Sequence, residues 1–342
     1  MKSINWVAAG LAAGTSLLAH SSQAAGDLNL ICSADVVICE QMKNSFEKEH
    51  DIKVNMVRLS SGETYAKVRA EARNPKTDIW WAGTGDPHMQ AAAENLTQEY
   101  RSPMLGELND WAVRQAESSG YKTVGVYAGA LGWGFNTDIF KQKNLKEPKC
   151  WDDLLDVSLK GEIQIANPNS SGTAYTALAT LVQIMGEDKA FEYLNKLNAN
   201  VSQYTKSGSA PVKAAARGET ALGIVFMHDA VAQKVEGFPV TVGAPCEGTG
   251  YEIGSMSIIK GAKNLENAEI WYDWALKADV QSHMKDAKSF QLPSNKNAEI
   301  PKESPKFEDI KLIDYDFETF GDPAKRKALL ERWDSEIGAN AN

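Results

Sequence analysis

The run Asn167-Pro168-Asn169-Ser170-Ser171-Gly172-Thr173 places three hydroxyls and a glycine between a short strand pattern and an amphipathic helix. Residues of these types in this position can hold an anion. Ala174, Ala177, Leu178, Leu181, Val182 and Met185 keep the i, i+3, i+4, i+7 spacing of a helix, and Gly186 supplies a stop. Ser170, Ser171 or Thr173 therefore stands at a helix N-terminus. First-turn N–H groups there lack intrahelical acceptors and the helix dipole is positive, so a phosphate or carboxylate can be held without Lys or Arg. The same hydroxyls are ordinary N-caps, and the run by itself fits capping without ligand equally well. Ser209, in Lys206-Ser207-Gly208-Ser209-Ala210-Pro211, is a second candidate before a helix. Lys206 beside it is either a phosphate partner or a solvated lysine.

The elements that must position these residues alternate. Leu28–Ile31 reads as a strand before a helix over 40–50, residues 52–59 as a strand before a helix over 64–73, and Asp78-Ile79-Trp80-Trp81 as a third strand. Such alternation implies a mostly parallel sheet with helices on both faces, and ligands meet the loops at the carboxyl ends of its strands. Those loops are Cys32-Ser33-Ala34-Asp35, Ser60-Ser61-Gly62-Glu63-Thr64 and Ala82-Gly83-Thr84-Gly85-Asp86, all suited to close backbone approach. Trp80 or Trp81 could stack on a sugar ring, the other facing the core, because successive strand residues point oppositely.

Residues 124–136 are dense in glycine yet rich in β-branched and aromatic residues, as a segment crossing between two lobes would be. A second α/β pattern follows, with strands at 162–166, 201–204 and 221–226, and residues 250–259 read as the return crossing. The tail from 268 to 342 reads as largely helical, with Trp271, Trp274, Leu276, Leu329, Leu330 and Trp333 as core.

Met1-Lys2, an apolar stretch from Trp6 to Ala19 and Ser22-Gln23-Ala24-Ala25 form a cleavable secretory signal over residues 1–25. The apolar stretch is too short for a membrane span. Of 36 basic side chains 35 remain once Lys2 is removed, against 45 acidic ones, for a formal charge of −10. Nucleic acid is excluded as a natural partner by that balance. The four cysteines, Cys32, Cys39, Cys150 and Cys246, enter an oxidising compartment and are expected to form disulfides. Pairing Cys32 with Cys39 across the first loop leaves Cys150 with Cys246, although four cysteines allow three connectivities. Zinc would need a two-residue Cys spacing, which is missing.

Gly132-Trp133-Gly134-Phe135-Asn136-Thr137, Trp151-Asp152-Asp153-Leu154-Leu155, Lys160-Gly161-Glu162-Ile163, Ser171-Gly172-Thr173-Ala174 and Gly218-Glu219-Thr220-Ala221-Leu222-Gly223-Ile224 occur in an order that resembles the group historically called ferric-iron-binding proteins. These are two-lobe solute-binding proteins that feed ABC importers. The resemblance spans the mature chain. It implies an α/β, type II periplasmic binding fold: each lobe a mostly parallel sheet with flanking helices, the two joined by a two-strand hinge. Lobe 1 would comprise 26–130 and 250–305, and lobe 2 would comprise 131–249 and 306–342.

Iron-binding relatives carry adjacent tyrosines after the strand that here ends Ile224-Val225-Phe226, whereas this chain has Met227-His228-Asp229. Without phenolates the hard oxygen ligands suited to ferric iron are gone. Met227-His228-Asp229 with Tyr251-Glu252-Ile253-Gly254-Ser255 instead resembles the Afu-type branch, whose members bind hexose phosphates. That resemblance implies a phosphate held by Ser60, Thr84, Ser171, Gly172 and Thr173, with Ser209 added from its loop, and sugar hydroxyls held by His228, Asp229 and Glu252. The chemistry agrees provided the two ends are apart: carboxylates suit vicinal hydroxyls and repel a phosphate dianion. By themselves, His228-Asp229 would equally make a surface ion pair or cap. The implied function is periplasmic capture of glucose 6-phosphate, fructose 6-phosphate or a related sugar phosphate, without cofactor or metal. A monomer would deliver it to the permease and ATPase of an inner-membrane ABC importer. Ferric iron with a synergistic anion and a small aminophosphonate are the alternatives within the fold. A phosphosugar hydrolase using His228 is the alternative outside it, but no Gly-x-Ser-x-Gly nucleophile motif is present.

Overall fold

A computed structural model describes residues 26–340; the expected signal peptide at 1–25 lies outside the described residues. Ten strands build the framework: β1 (Leu28–Cys32), β2 (Val54–Arg58), β3 (Ile79–Thr84), β4 (Val124–Asn136), β5 (Ile163–Ala166), β6 (Val201–Thr205), β7 (Leu222–Phe226), β8 (Val240–Gly243), β9 (Tyr251–Ile258) and β10 (Leu292–Pro293). They form one sheet in the order β2-β1-β3-β9-β4-β7-β5-β6, with β8 and β10 also on β4. Parallel pairing holds where βαβ alternation demands it, β1 with β2 and β3, and β5 with β6 and β7. Every antiparallel pairing involves β4 or β9, the strands that cross between the halves.

β4 is the backbone of the arrangement. All thirteen of its residues are buried. Val124–Ala130 pairs with β9, and Leu131–Asn136 pairs with β7 and β8, so one strand joins the two halves of the sheet. On either side lies a separate apolar core. The first gathers Leu28, Phe46, Trp81, Trp271 and Trp274; the second gathers Trp133, Trp151, Tyr175, Phe191, Leu329 and Trp333. We refer to these halves as the first and second lobes.

Each lobe carries one disulfide, Cys32–Cys39 in the first and Cys150–Cys246 in the second. The helix expected over 40–50 begins earlier and spans Val36–His50, because Asp35 caps it through Val37 N–H. The helix with the anion-binding signature spans Gly172–Met185, with Ser171 as N-cap and Gly186 at φ +80° closing it, a left-handed conformation that glycine adopts without a Cβ penalty.

The largely helical tail needs correction. Helices span Leu265–Ala275, Ala278–His283, Phe317–Gly321 and Pro323–Glu336, but most of residues 288–316 is irregular. Pro293, Pro301 and Pro305 remove donors and fix backbone angles there. Trp271, Trp274, Leu276, Leu329 and Trp333 are buried as expected, and Leu330 packs against the second core while partly exposed. No helix among the described residues is long and apolar enough to cross a membrane.

Candidate functional site

The lobes meet over a small cavity of about 50 Å³. Every site residue expected from the sequence lines it: Ser60, Thr84, Ser171, Gly172, Thr173, Ser209, His228, Asp229 and Glu252. What brings them together is the carboxyl ends of strands and the helices that start there. β2 runs into the Ser61–Ala70 helix, with Ser60 as N-cap and its N–H donated to Glu63 Oε2 at 3.2 Å. β3 runs into the Gly85–Ala93 helix with Thr84 as N-cap. From the opposite lobe come Ser171, whose Oγ accepts from Ala174 N–H at 3.4 Å, and the Gly172–Met185 helix. Helix N-termini from both lobes thus aim positive dipole ends at one volume.

A guanidinium joins them that the sequence reading passed over. Arg58, last residue of β2, lines the cavity; its Nη1 donates to Ser60 Oγ at 3.1 Å, Nη2 to Ser207 Oγ at 3.2 Å and Nε to Ala34 O at 3.0 Å. It therefore reaches both lobes. The available signal was its place at the carboxyl end of a strand, next to a Ser-Ser-Gly loop. Lys213 was also missed. It pairs across the lobes with Asp35, which accepts from Ser209 Oγ at 3.2 Å as well. Burial pulls Asp35 upward, but Lys213 and Val37 N–H together hold its carboxyl below the usual range. Lys206 is exposed and does not line the cavity.

His228, Asp229 and Glu252 make the rest of the cavity acidic and buried. His228 and Asp229 occupy the first turn of the Met227–Val235 helix, and Glu252 sits on β9 opposite Gly129 of β4. His228 Nε2 lies 3.7 Å from Asp229 Oδ1 and 3.8 Å from Glu252 Oε1, while Nδ1 is buried without a partner among the described residues. Gly129 makes this possible, since a Cβ there would stand 2.5 Å from His228 Nδ1. Burial pushes His228 down to about 3, leaving the imidazole neutral. Burial raises Asp229 to about 7; Asp35 adds to the rise, and Lys213 and Arg58 oppose it. Glu252 is pushed well above the usual carboxylate range by burial and then by Asp229 and Asp86. Near neutral pH this end therefore presents carboxyl groups able to donate as well as accept.

Trp80 and Trp81 do not serve a ligand. Trp80 stacks on His88 at 3.7 Å and donates to Ser33 Oγ at 2.9 Å, while Trp81 belongs to the first core. β3 is covered on both faces, so the alternation that would have freed one ring does not apply.

A family model described as bacterial extracellular solute-binding protein matches residues 74–318. The chain belongs to that family. Among solved structures, the periplasmic binding protein AfuA from Actinobacillus pleuropneumoniae, with exogenous fructose-6-phosphate bound, is 46% identical, with a TM-score of 0.89 over 92% of this chain and 99% of that one. A periplasmic binding protein designated P5PA is 39% identical, with a TM-score of 0.88 over 91% of this chain and 99% of that one. An uncharacterized protein from Haemophilus influenzae is 46% identical over 96% of this chain and 95% of its own length. This solute-binding protein has the mixed α/β periplasmic binding fold expected from its motifs.

Proposed function

We propose that this solute-binding protein captures hexose phosphates between its lobes, in the periplasm after cleavage of residues 1–25, and hands them to an ABC importer. The observation that carries the reading is the polarity of the cavity. Arg58, helix N-termini and the hydroxyls of Ser60, Thr84, Ser171 and Ser209 line it together with His228, Asp229 and Glu252, so it offers both phosphate-binding and hydroxyl-binding groups. A phosphate head with a polyol tail satisfies both sets, and few small solutes combine the two. Thr84 Oγ1, buried there without a hydrogen-bond partner, supports it further. So does the similarity to AfuA, whose structure contains fructose-6-phosphate.

The lobes are assigned as 26–130 with 250–305, and 131–249 with 306–342. In this reading the ligand bridges them, stabilises closure, and the closed monomer is what the permease engages. No bond to the ligand is made or broken. Ferric iron is disfavoured by Met227-His228-Asp229 where phenolates would stand, since one neutral imidazole and two carboxyls make a poor ferric site. Calorimetry with glucose 6-phosphate, fructose 6-phosphate, the free sugars, aminoethylphosphonate and ferric citrate tests the choice. Binding of the sugar phosphates alone is expected; binding of iron without sugar phosphate would overturn it. Phosphate release on incubation with glucose 6-phosphate would instead indicate a hydrolase. His228→Ala or Glu252→Ala is expected to weaken sugar-phosphate binding by about 1–3 kcal/mol, the range for hydrogen bonds involving charged or buried groups. Unchanged affinity in both variants would remove them from the tail site.

A further inference from the structure

A second cavity, of about 280 Å³, lies directly outside the first. Asp35, Ile38, His228 and Asp229 line both, so these four residues form a shared wall, whereas Ser60, Thr84, Ser171, Gly172 and Thr173 do not reach the outer space. The vestibule therefore adjoins His228 and Asp229, two of the groups assigned to the sugar hydroxyls, and Asp35, which accepts from Ser209. Both lobes build it: Val37 and Lys288 from the first, Lys213, Gln233, Glu236 and Phe238 from the second. Its size is near the lower limit of ordinary ligand pockets, about 300 Å³.

The lining specifies what kind of group fits. Gln233 is only 7% exposed, yet no side-chain hydrogen bond to it is made among the described residues, and its amide faces this space as both donor and acceptor. Asp229 borders the same space and has no hydrogen-bond donor to its carboxyl among the described residues, only the imidazole of His228 at 3.7 Å. Phe238 and Val37, both exposed at the rim, add an apolar surface from each lobe. The cations are already committed: Lys213 to Asp35, Lys288 to Glu236 at 2.7 Å, and Arg217 to Glu219 at 2.6 Å. A second phosphate would thus find no free counter-charge, and a hydrocarbon tail would bury Gln233 and two ion pairs without compensation. An uncharged ring with an apolar face and an edge of hydroxyls meets both requirements.

We propose that the site accepts disaccharide monophosphates, in which the phosphorylated hexose occupies the inner cavity and a second, uncharged sugar extends into the vestibule against Phe238 and Gln233. This inference rests on the sugar-phosphate reading of the inner cavity. A 6-phosphorylated glucose joined through its anomeric carbon has the required shape, because its two ends point away from each other. Trehalose 6-phosphate is such a probe.

Calorimetry on the full mature chain would compare trehalose 6-phosphate with glucose 6-phosphate and free trehalose, in the native protein and in Gln233→Ala and Ala232→Trp. Ala232 lines the vestibule and not the inner cavity, so tryptophan there fills only the outer space. Trehalose 6-phosphate is expected to bind within about thirtyfold of glucose 6-phosphate and free trehalose not to bind. Each substitution is expected to weaken trehalose 6-phosphate by about tenfold and glucose 6-phosphate by less than about twofold. The vestibule assignment is overturned if glucose 6-phosphate binds but trehalose 6-phosphate is weaker by more than about thirtyfold, or if the variants change both ligands equally. If glucose 6-phosphate itself fails to bind, the sugar-phosphate reading falls first, an outcome distinct from both.

Discussion

Gly62→Ala is expected to fold normally and to lose ligand binding. The lobes touch where Gly62 N–H donates to Ser170 O at 2.9 Å, and a Cβ on Gly62 would stand 2.1 Å from the carbonyl oxygen of Asn169. That oxygen is backbone and cannot swing aside. Gly172 faces a similar limit from the other lobe, since its Cβ would meet Thr84 Oγ1 at 1.9 Å. Both glycines lie in first turns of helices, where alanine is favourable, and both clashes are with the opposite lobe. Folding of each lobe is therefore untouched while closure is obstructed. Overpacking of this kind costs about 1–3 kcal/mol or more, which converts to about a five- to 150-fold loss of affinity, with Gly62 at the upper end. Thermal unfolding of the unliganded variant should match the native chain while calorimetry shows the loss. A variant that binds normally would show that the lobes do not need to meet here.

The second large effect is on pH. The closed cleft holds Asp229 with its carboxyl raised to about 7 and Glu252 well above the usual carboxylate range, so it binds more protons than a hydrated, open cleft. Raising pH through 7 therefore favours opening. The groups facing Asp229 are His228, Glu252, Asp35, Lys213 and Arg58, and only the last two oppose its rise. Between pH 4 and 7 the shift of Asp229 alone amounts to up to about 4 kcal/mol against the closed, unliganded form. The contacts that favour closure without ligand are the Asp35–Lys213 and Lys288–Glu236 pairs and the bonds from Gly62 and Arg58. At about 0.5–1.5 kcal/mol each they are of the same order, so protonation can decide the balance. Small-angle scattering of the unliganded chain should give a larger radius of gyration at pH 8 than at pH 5, and Asp229→Asn with Glu252→Gln should flatten the difference. Equal radii in the native chain at both pH values would contradict this.

Sequence pattern was most informative where one periodicity and one stop coincide. The Gly172–Met185 helix was legible because apolar spacing, a hydroxyl cap and Gly186 agree. The start of the Val36–His50 helix was not, because Val36 and Val37 are exposed and β-branched and the apolar face begins only at Ile38. Site residues in loops carrying a family motif were legible as a set, and the cavity unites them. Arg58 was hidden because a single arginine closing an alternating strand looks like any exposed residue until Ser207 is brought to it from far along the chain. Gln233 gives no signal at all; only its place in a cavity lined also by Phe238 and Lys288 brings its amide into view.

The interleaving of the chain also sets a timetable for folding. The first core lacks Met256, Ile258, Trp271 and Trp274 until those residues are synthesised, and the second lacks Tyr315, Phe320, Leu329 and Trp333 until almost the last residues have followed. β9 must insert between β3 and β4, strands made long before it. Neither core is complete before the final third of the chain exists, and such non-local pairing is slow to form. On the proposed export, a chain crossing the membrane unfolded would gain from this order: its late strands and helices keep the early ones from setting.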